Sequence, residues 1–262
     1  TASAGFVVDD VHFVGAGTSF TAAVRGSSLP GGRYLVVSGI SPQMPVGALK
    51  ALWPRTLSSD ARQWVMDNIR SGVITDAHVD FSAGNADLEA GKAGAGTIAF
   101  KFANGVFQPY DDGPLVRDAV GEGYLDGSGF TITVASGWSD MGDGRKLTLA
   151  PSRFSVPFGG TGAPQGSVEV ELSGSVAAGL ALWNRLPYAD SVDVDFDPAK
   201  VAGQATARLR IELPLVNGVA ADAINVTGHV ETQGFASTQP MLGHLVKNGG
   251  VSIAIDGSEA HI

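Results

Sequence analysis

Residues 53–81 read WPRTLSSDARQWVMDNIRSGVITDAHVDF. Within this stretch the apolar period changes from that of a helix to that of a strand. Ser58 or Ser59 offers an oxygen to the free N–H groups of a first helical turn, and Asp60 suits its positive end. Ala61, Trp64, Val65 and Ile69 follow at i, i+3, i+4 and i+8, one apolar stripe. Arg70 falls in the last turn, and Gly72 is expected in the left-handed conformation that ends a helix. From there the period is two. Val73, Thr75, Ala77, Val79 and Phe81 share one face; Asp76, His78 and Asp80 share the other. So short and one-sided a helix is expected to lie on a sheet or to plug its end.

Outward from this block the chain is mostly alternation. Residues 6–14, 19–24 and 33–37 read as three opening strands. Ile98, Phe100 and Phe102 alternate with Ala99 and Lys101, and Phe130, Ile132 and Val134 with Thr131 and Thr133. Leu147 and Leu149 flank Thr148. Val168, Val170 and Leu172 alternate with Glu169 and Glu171, and Leu209, Ile211 and Leu213 with Arg208, Arg210 and Glu212. Val251, Ile253 and Ile255 alternate with Ser252 and Ala254. Strands with one wet and one apolar face give this pattern. The intervening YDDG, LDGSG, GDGRK, KNGG and IDGS are turn sequences.

Composition agrees. The 262 residues suffice for one large β domain or two small ones. They include 36 glycines, only 16% charged residues and no cysteine, and mean hydropathy is +0.14. Disulfides, thiolate metal sites and a cysteine nucleophile are excluded. Net charge is −9 with Lys and Arg scattered, which argues against a nucleic-acid partner. No apolar run is long enough for a membrane helix.

The candidate chemical motifs read as structure. GNADLEAGKAGAGT, from Gly84, lacks phosphate-loop spacing, and Lys92 is followed by Ala, so no hydroxyl is placed for Mg²⁺; a flexible connector is expected. Asp193, Asp195 and Asp197 share a strand face and could hold Ca²⁺, or simply face water. Asp140 and Asp143 sit in SDMGDGRK without the spacing of a calcium loop, as in a hairpin turn. The five histidines, His12, His78, His229, His244 and His261, form no close pair for zinc. No G-x-S-x-G elbow is present. The expectation is no enzyme, no metal and no cofactor.

The stretch WVMDNIRSGVITDAHVDF leads through a small-residue link to GTIAFKF. LALWNRLPYADSVDVDF leads similarly to ARLRIEL. The two V-D-F ends, Phe81 and Phe196, are about 115 residues apart. Duplication and chance are both open; duplication would divide a single 1–262 segment into repeated units of about 1–115 and 116–262 and imply a sheet extended by like additions.

The block ALKALWPRTLSSDARQWVMDNIRSGVITDAHVDF resembles a segment of the AsmA-like periplasmic proteins, their YhdP-type branch most closely. The matching residues are Trp53, Pro54, Arg62, Trp64, Gly72 and Val73, with the departure that Gln63 alone separates Arg62 from Trp64. GEGYLDGSGFTITVASG looks like the family's hairpin. LALWNRLPYADSVDVDFDPAKVAGQATARLRIELPL looks like its helix-then-strand unit, with a link at Gly203 and Ala205.

The resemblance implies a mainly β fold: a long, curved antiparallel sheet (β-groove, half-pipe) with two short helices at its edge or end. It implies a periplasmic segment, anchored to the inner membrane of a Gram-negative cell by a region outside this chain, that helps move phospholipid between inner and outer membranes. The groove would be lined by Ile98, Phe100, Phe102, Phe130, Ile132, Val134, Val168, Val170, Leu172, Leu209, Ile211 and Leu213. Trp64, Val65 and Ile69 would pack the helix on the groove, with Trp53 and Pro54 fixing the entry of the chain. Partners would be phospholipid or another acyl-chain lipid, and a second copy could cover the apolar face. A non-catalytic scaffold for outer-membrane biogenesis is the alternative; a β-sandwich hydrolase or carbohydrate binder is a third.

Overall fold

The structure, a computed structural model, describes residues 4–15, 17–29, 32–53, 59–90, 95–110, 112–159, 161–186, 197–216, 218–220, 223–240, 245–257 and 259–261. It is mainly β. In chain order the strands are β1 Ala4–Gly15, β2 Thr18–Leu29, β3 Gly32–Pro45, β4 Ile69–Gly84, β5 Ala95–Phe107, β6 Val116–Asp126 and β7 Gly129–Asp140. There follow β8 Lys146–Leu149, β9 Ser152–Pro157, β10 Gln165–Ser175, β11 Val201–Pro214, β12 Asn225–Ser237, β13 Ser252–Asp256 and β14 Glu259–His261. Four short helices accompany them among the described residues, where the sequence suggested two: α1 Val46–Leu52, α2 Ser59–Asn68, α3 Asn85–Ala90 and α4 Val176–Trp183. A 3-10 turn at Pro198–Lys200 precedes β11.

The strands hydrogen-bond into one sheet in the order β1-β2-β3-β4-β5-β6-β7-β8-β10-β11-β12-β13-β14, with β9 against β10 and β7. Neighbours are antiparallel, as short turns between successive strands require. The chain packs as two compact units. Unit 1 is Thr1–Phe107 with Val120–Ile132, and unit 2 is Gln108–Ala119 with Thr133–Ile262.

In unit 1, β1 to β5 form a meander whose pairing is interrupted by bulges. Against β2, β1 slips between Val8 and Val11, where Asp10 has φ 57°. Against β5, β4 slips between Thr75 and His78, where Asp76 has φ 52°. An extra residue of this kind turns the following side chains to the other face. This corrects the simple alternation expected for β4. Ile74, not Val73 or Thr75, is the buried residue before the bulge, paired with Phe102. After it, Val79 pairs with Ile98.

The opening helix is also shorter than its pattern suggests. It stops at Asn68, and Ile69 and Arg70 already belong to β4. Lys50 of α1 explains the stop. Its Nζ donates to the carbonyls of Met66 at 2.9 Å and Ile69 at 2.6 Å, engaging the end of α2 with a cation. Burial, and then the nearby Arg70 charge, lower the Lys50 pKa from its ordinary value. Gly72 does have positive φ, 146°, but inside β4, where an added Cβ would lie 3.2 Å from the Cα of Gly105. Its role is close strand approach, not helix termination.

The connector expected after Gly84 contains α3, started where the Gly84 N–H donates to Asp87 Oδ2 at 3.1 Å. Gly203 and Ala205, expected in a link, lie within β11. Gly203 sits at the slip between Ala202 and Gln204 against β12.

In unit 2, β8 to β14 repeat the meander, and α4 follows β10 without a loop. Ser175 Oγ caps α4 by accepting from the Ala178 N–H at 3.1 Å. The hairpin between β7 and β8 is the expected GDGRK turn. Asp140 Oδ1 accepts from the Gly142 N–H at 2.8 Å, and Gly142, Asp143 and Gly144 all have positive φ, an aspartate-started turn.

The core is thin. Met141 is the largest side chain among the described residues with almost no exposure. It packs with Leu147, Ala178, Ala181 and Leu182, joining α4 to β8. Several other buried apolar residues are alanines, such as Ala22, Ala83 and Ala119.

Candidate functional site

Register turns the alternation of the strands into continuous apolar rows. In unit 2, Val168 faces Ile211 and then Val226. Val170 faces Leu209 and then Gly228, which faces Ile255. Leu172 faces Ala207, Val230 and Ile253 in turn, and on its other side Leu149. Phe154 of β9 extends the Val168 row. The named valine, leucine and isoleucine side chains are half-buried. Among the described residues the main strand contacts of the unit run between sheet neighbours, and α4 touches β8, β10, β11 and the 3-10 turn. Thus α4 covers the Leu147 end of the face, and the rows beyond it keep partial exposure.

Expected lining residues Val168, Val170, Leu172, Leu209, Ile211 and Leu213 therefore come together on one face. Leu213 stands opposite Gly166, over which Leu215 and Phe154 lie. Val226 and Val230 of β12 belong to the same face. Their sequence signal, N-V-T-G-H-V-E, is broken by Gly228, which reads as a turn rather than a lining position.

The opposite face is ionic. Arg208 Nε donates to Glu171 Oε2 at 2.8 Å, and Arg210 bridges Glu169 and Glu212 at 2.9 Å each. Hydrogen bonding from Arg208 holds the Glu171 pKa below its ordinary value, and Arg210 does the same for Glu212. Cross-strand pairs of opposite charge keep this face wet and fix the register.

Unit 1 has the same two-sided construction. One row runs Val8, Val24, Val37, Phe81 and Gly96; a second runs Val11, Ala22, Gly39, Val79 and Ile98. Ile98, Phe100 and Phe102 lie half-buried on this face. Phe130 and Ile132 are half-buried within the same unit. Val134, counted with unit 2, is 8% exposed; it is packed rather than presented, which corrects its place in the lining. On the other face Lys101 Nζ meets Asp76 Oδ2 at 2.9 Å, and that hydrogen bond lowers the Asp76 pKa from its ordinary value.

A recurrent contact shapes the unit 1 face. A Cβ added to Gly26 would lie 2.5 Å from the Phe6 ring, one on Gly39 2.9 Å from the Phe20 ring, and one on Gly123 2.2 Å from the Phe100 ring. Each ring is laid on the glycine of a neighbouring strand, which covers exposed backbone with an aromatic face.

The expected helix packing is only partly realised. Val65 is half-buried, but Trp64 is 44% exposed, and Ile69 acts as a strand residue paired with Phe107. Trp53 ends α1: its N–H donates to the Leu49 carbonyl at 2.9 Å, and its own carbonyl accepts from Arg62 Nε at 3.3 Å. Pro54 lies outside the described residues.

Two groupings of polar side chains on the strands have defined geometry. Ser252 Oγ lies 3.0 Å from His229 Nε2, and Glu231 Oε1 lies 3.4 Å from that same nitrogen. A relay needs the nucleophile and the acid on different ring nitrogens, so these three exposed residues do not form one. Asp197 starts the 3-10 turn by accepting from the Ala199 N–H at 2.9 Å; Asp193 and Asp195 lie outside the described residues. Among the described residues no group of three His, Asp or Glu could hold a metal ion, and no helix is long and apolar enough to cross a membrane.

No family model matches the chain, and neither does a curated protein or a solved structure.

Proposed function

We propose that this chain binds acyl chains along the apolar faces of its sheet, as a periplasmic segment of an inner-membrane-anchored AsmA-like protein that helps move phospholipid between membranes. One observation carries the binding reading: the rows through Val168, Val170 and Leu172 remain half-buried while their backs carry the Glu171–Arg208 and Glu169–Arg210 pairs. Such a face has apolar area left to lose. Each buried methylene contributes about 0.8 kcal/mol, so a dozen carbons supply on the order of 10 kcal/mol before ordering costs. Collective lining of this kind requires no reactive group. The membrane setting and phospholipid cargo rest on the sequence resemblance.

The experiment is native mass spectrometry of gently purified protein, with organic extraction of whatever it carries. Retained phospholipid or fatty acid is the expected result; protein that emerges bare and takes up no fluorescent fatty acid ends this reading. A second reading, assembly scaffolding, is favoured by β1. It is a 12-residue strand at the end of the hydrogen-bonded order, with Phe6, Val7 and Val14 more than half exposed, an edge suited to strand addition. Recovery of a strand-paired protein partner from lipid-free preparations would support it instead.

A further inference from the structure

We infer that Gly123 is a specificity-determining position: it seats the Phe100 ring at floor level and so keeps the unit 1 face passable to an acyl chain. This inference rests on the acyl-binding reading above and adds to it the element that controls passage. Phe100 stands between Ile98 and Phe102 on β5, on the face shared with Val79 and Ile74. A phenylalanine standing upright there would project a whole ring into any chain laid along the face. It does not stand upright. Its Cζ, Cε1 and Cε2 atoms come within 2.2, 2.5 and 2.8 Å of where a Cβ would begin on Gly123. The ring therefore occupies the volume that any other residue at position 123 would fill.

The contact differs in kind from the crowding at Gly96. At Gly96 an added Cβ would meet the Asp80 carbonyl oxygen at 2.2 Å and the Phe81 Cα at 2.4 Å; backbone would have to part. At Gly123 the three nearest atoms all belong to the outer part of one ring, which can leave by rotation about its own bonds. With a strand beneath it, the ring's free direction is upward, off the sheet. A single methyl at 123 thus converts a paved position into an obstruction while leaving strand pairing intact. Gly26 under Phe6 and Gly39 under Phe20 repeat the arrangement in the same unit, so the smooth floor is a property of the face rather than of one residue.

The test titrates nitrobenzoxadiazole-labelled dodecanoic acid into wild type, Gly123→Ala, Phe100→Ala and the double variant Phe100→Ala/Gly123→Ala, with circular dichroism and thermal melting on each. We expect Gly123→Ala to melt as a folded protein and to bind about tenfold more weakly. The double variant, which has the methyl but no ring to lift, should recover most of that loss. Wild-type binding with an unaffected Gly123→Ala overturns the inference and leaves the acyl reading standing. A folded double variant as weak as Gly123→Ala also overturns it, since the ring would not be the obstruction. Absence of wild-type binding overturns the acyl reading and the inference together. If Gly123→Ala fails to fold, the premise that the ring yields freely is wrong and the inference falls.

Discussion

Glu171 and Arg208 stand directly opposite each other on β10 and β11, with Arg208 Nε donating to Glu171 Oε2 at 2.8 Å, while the adjoining pair, Val170 and Leu209, faces the other way. Two neighbouring positions of one hairpin thus assign charge to one side of the sheet and hydrocarbon to the other. The consequence is a face-specific response to mutation. Ile211→Asp, between Val168 and Val226, should abolish fatty-acid uptake measured by fluorescence. Arg210→Ala, next to it in sequence but on the ionic face, should leave uptake within about twofold of wild type, a difference worth under 1 kcal/mol. Equal losses from both would mean that binding does not follow the apolar face.

The ionic face also sets an acid response. Glu171, Glu212 and Asp76 each titrate below their ordinary values because a basic side chain hydrogen-bonds to the ionised form. A carboxylate held more acidic in the folded chain stabilises it fully above the ordinary carboxylate range, and loses that contribution as pH falls through the lowered value. Urea midpoints should therefore decline on acidification through and below that range. Arg208→Ala should flatten the decline slightly, because exposed pairs are well screened. A steeper decline in the variant would contradict the assignment.

Gly96 is the stability counterpart of Gly123. Gly96→Ala drives a methyl into the Asp80 carbonyl and the Phe81 Cα, so β4 and β5 must separate locally, at a cost of about 1–3 kcal/mol. Chemical denaturation should show a lower midpoint for Gly96→Ala than for Gly123→Ala. The reverse order would show that the crowding at position 96 is relieved more easily than its backbone contacts imply.

Two of the contacts that hold α4 can be removed singly. Met141→Ala removes the largest almost fully buried side chain among the described residues and should cost about 2–5 kcal/mol, read as a lowered urea midpoint. Ser175→Ala, which removes the acceptor for the Ala178 N–H, should cost about 1 kcal/mol. Amide exchange in residues 176–183 should quicken in both variants. Unchanged exchange would mean that α4 is held by contacts other than these.

The sequence by itself determined most of the strands, though not β6, β9 or β12, and which side a strand presents where no bulge intervenes. Val168, Val170, Leu172, Leu209 and Ile211 are legible because period-two alternation is a property of the extended backbone, independent of neighbours. Turns such as GDGRK are legible for a similar local reason. Tertiary structure alone decided phase, length and surface height. The αL residue Asp76 moved burial from Val73 to Ile74, because a bulge is defined against the partner strand. Lys50, in a different helix, met the carbonyls at the end of α2 and released Ile69 into β4. Phe100 lies flat because a glycine on another strand happens to stand beneath it. Local pattern encodes how a segment divides itself between oil and water; where one segment meets another, the contacting atoms decide, and those come from residues far apart in the chain.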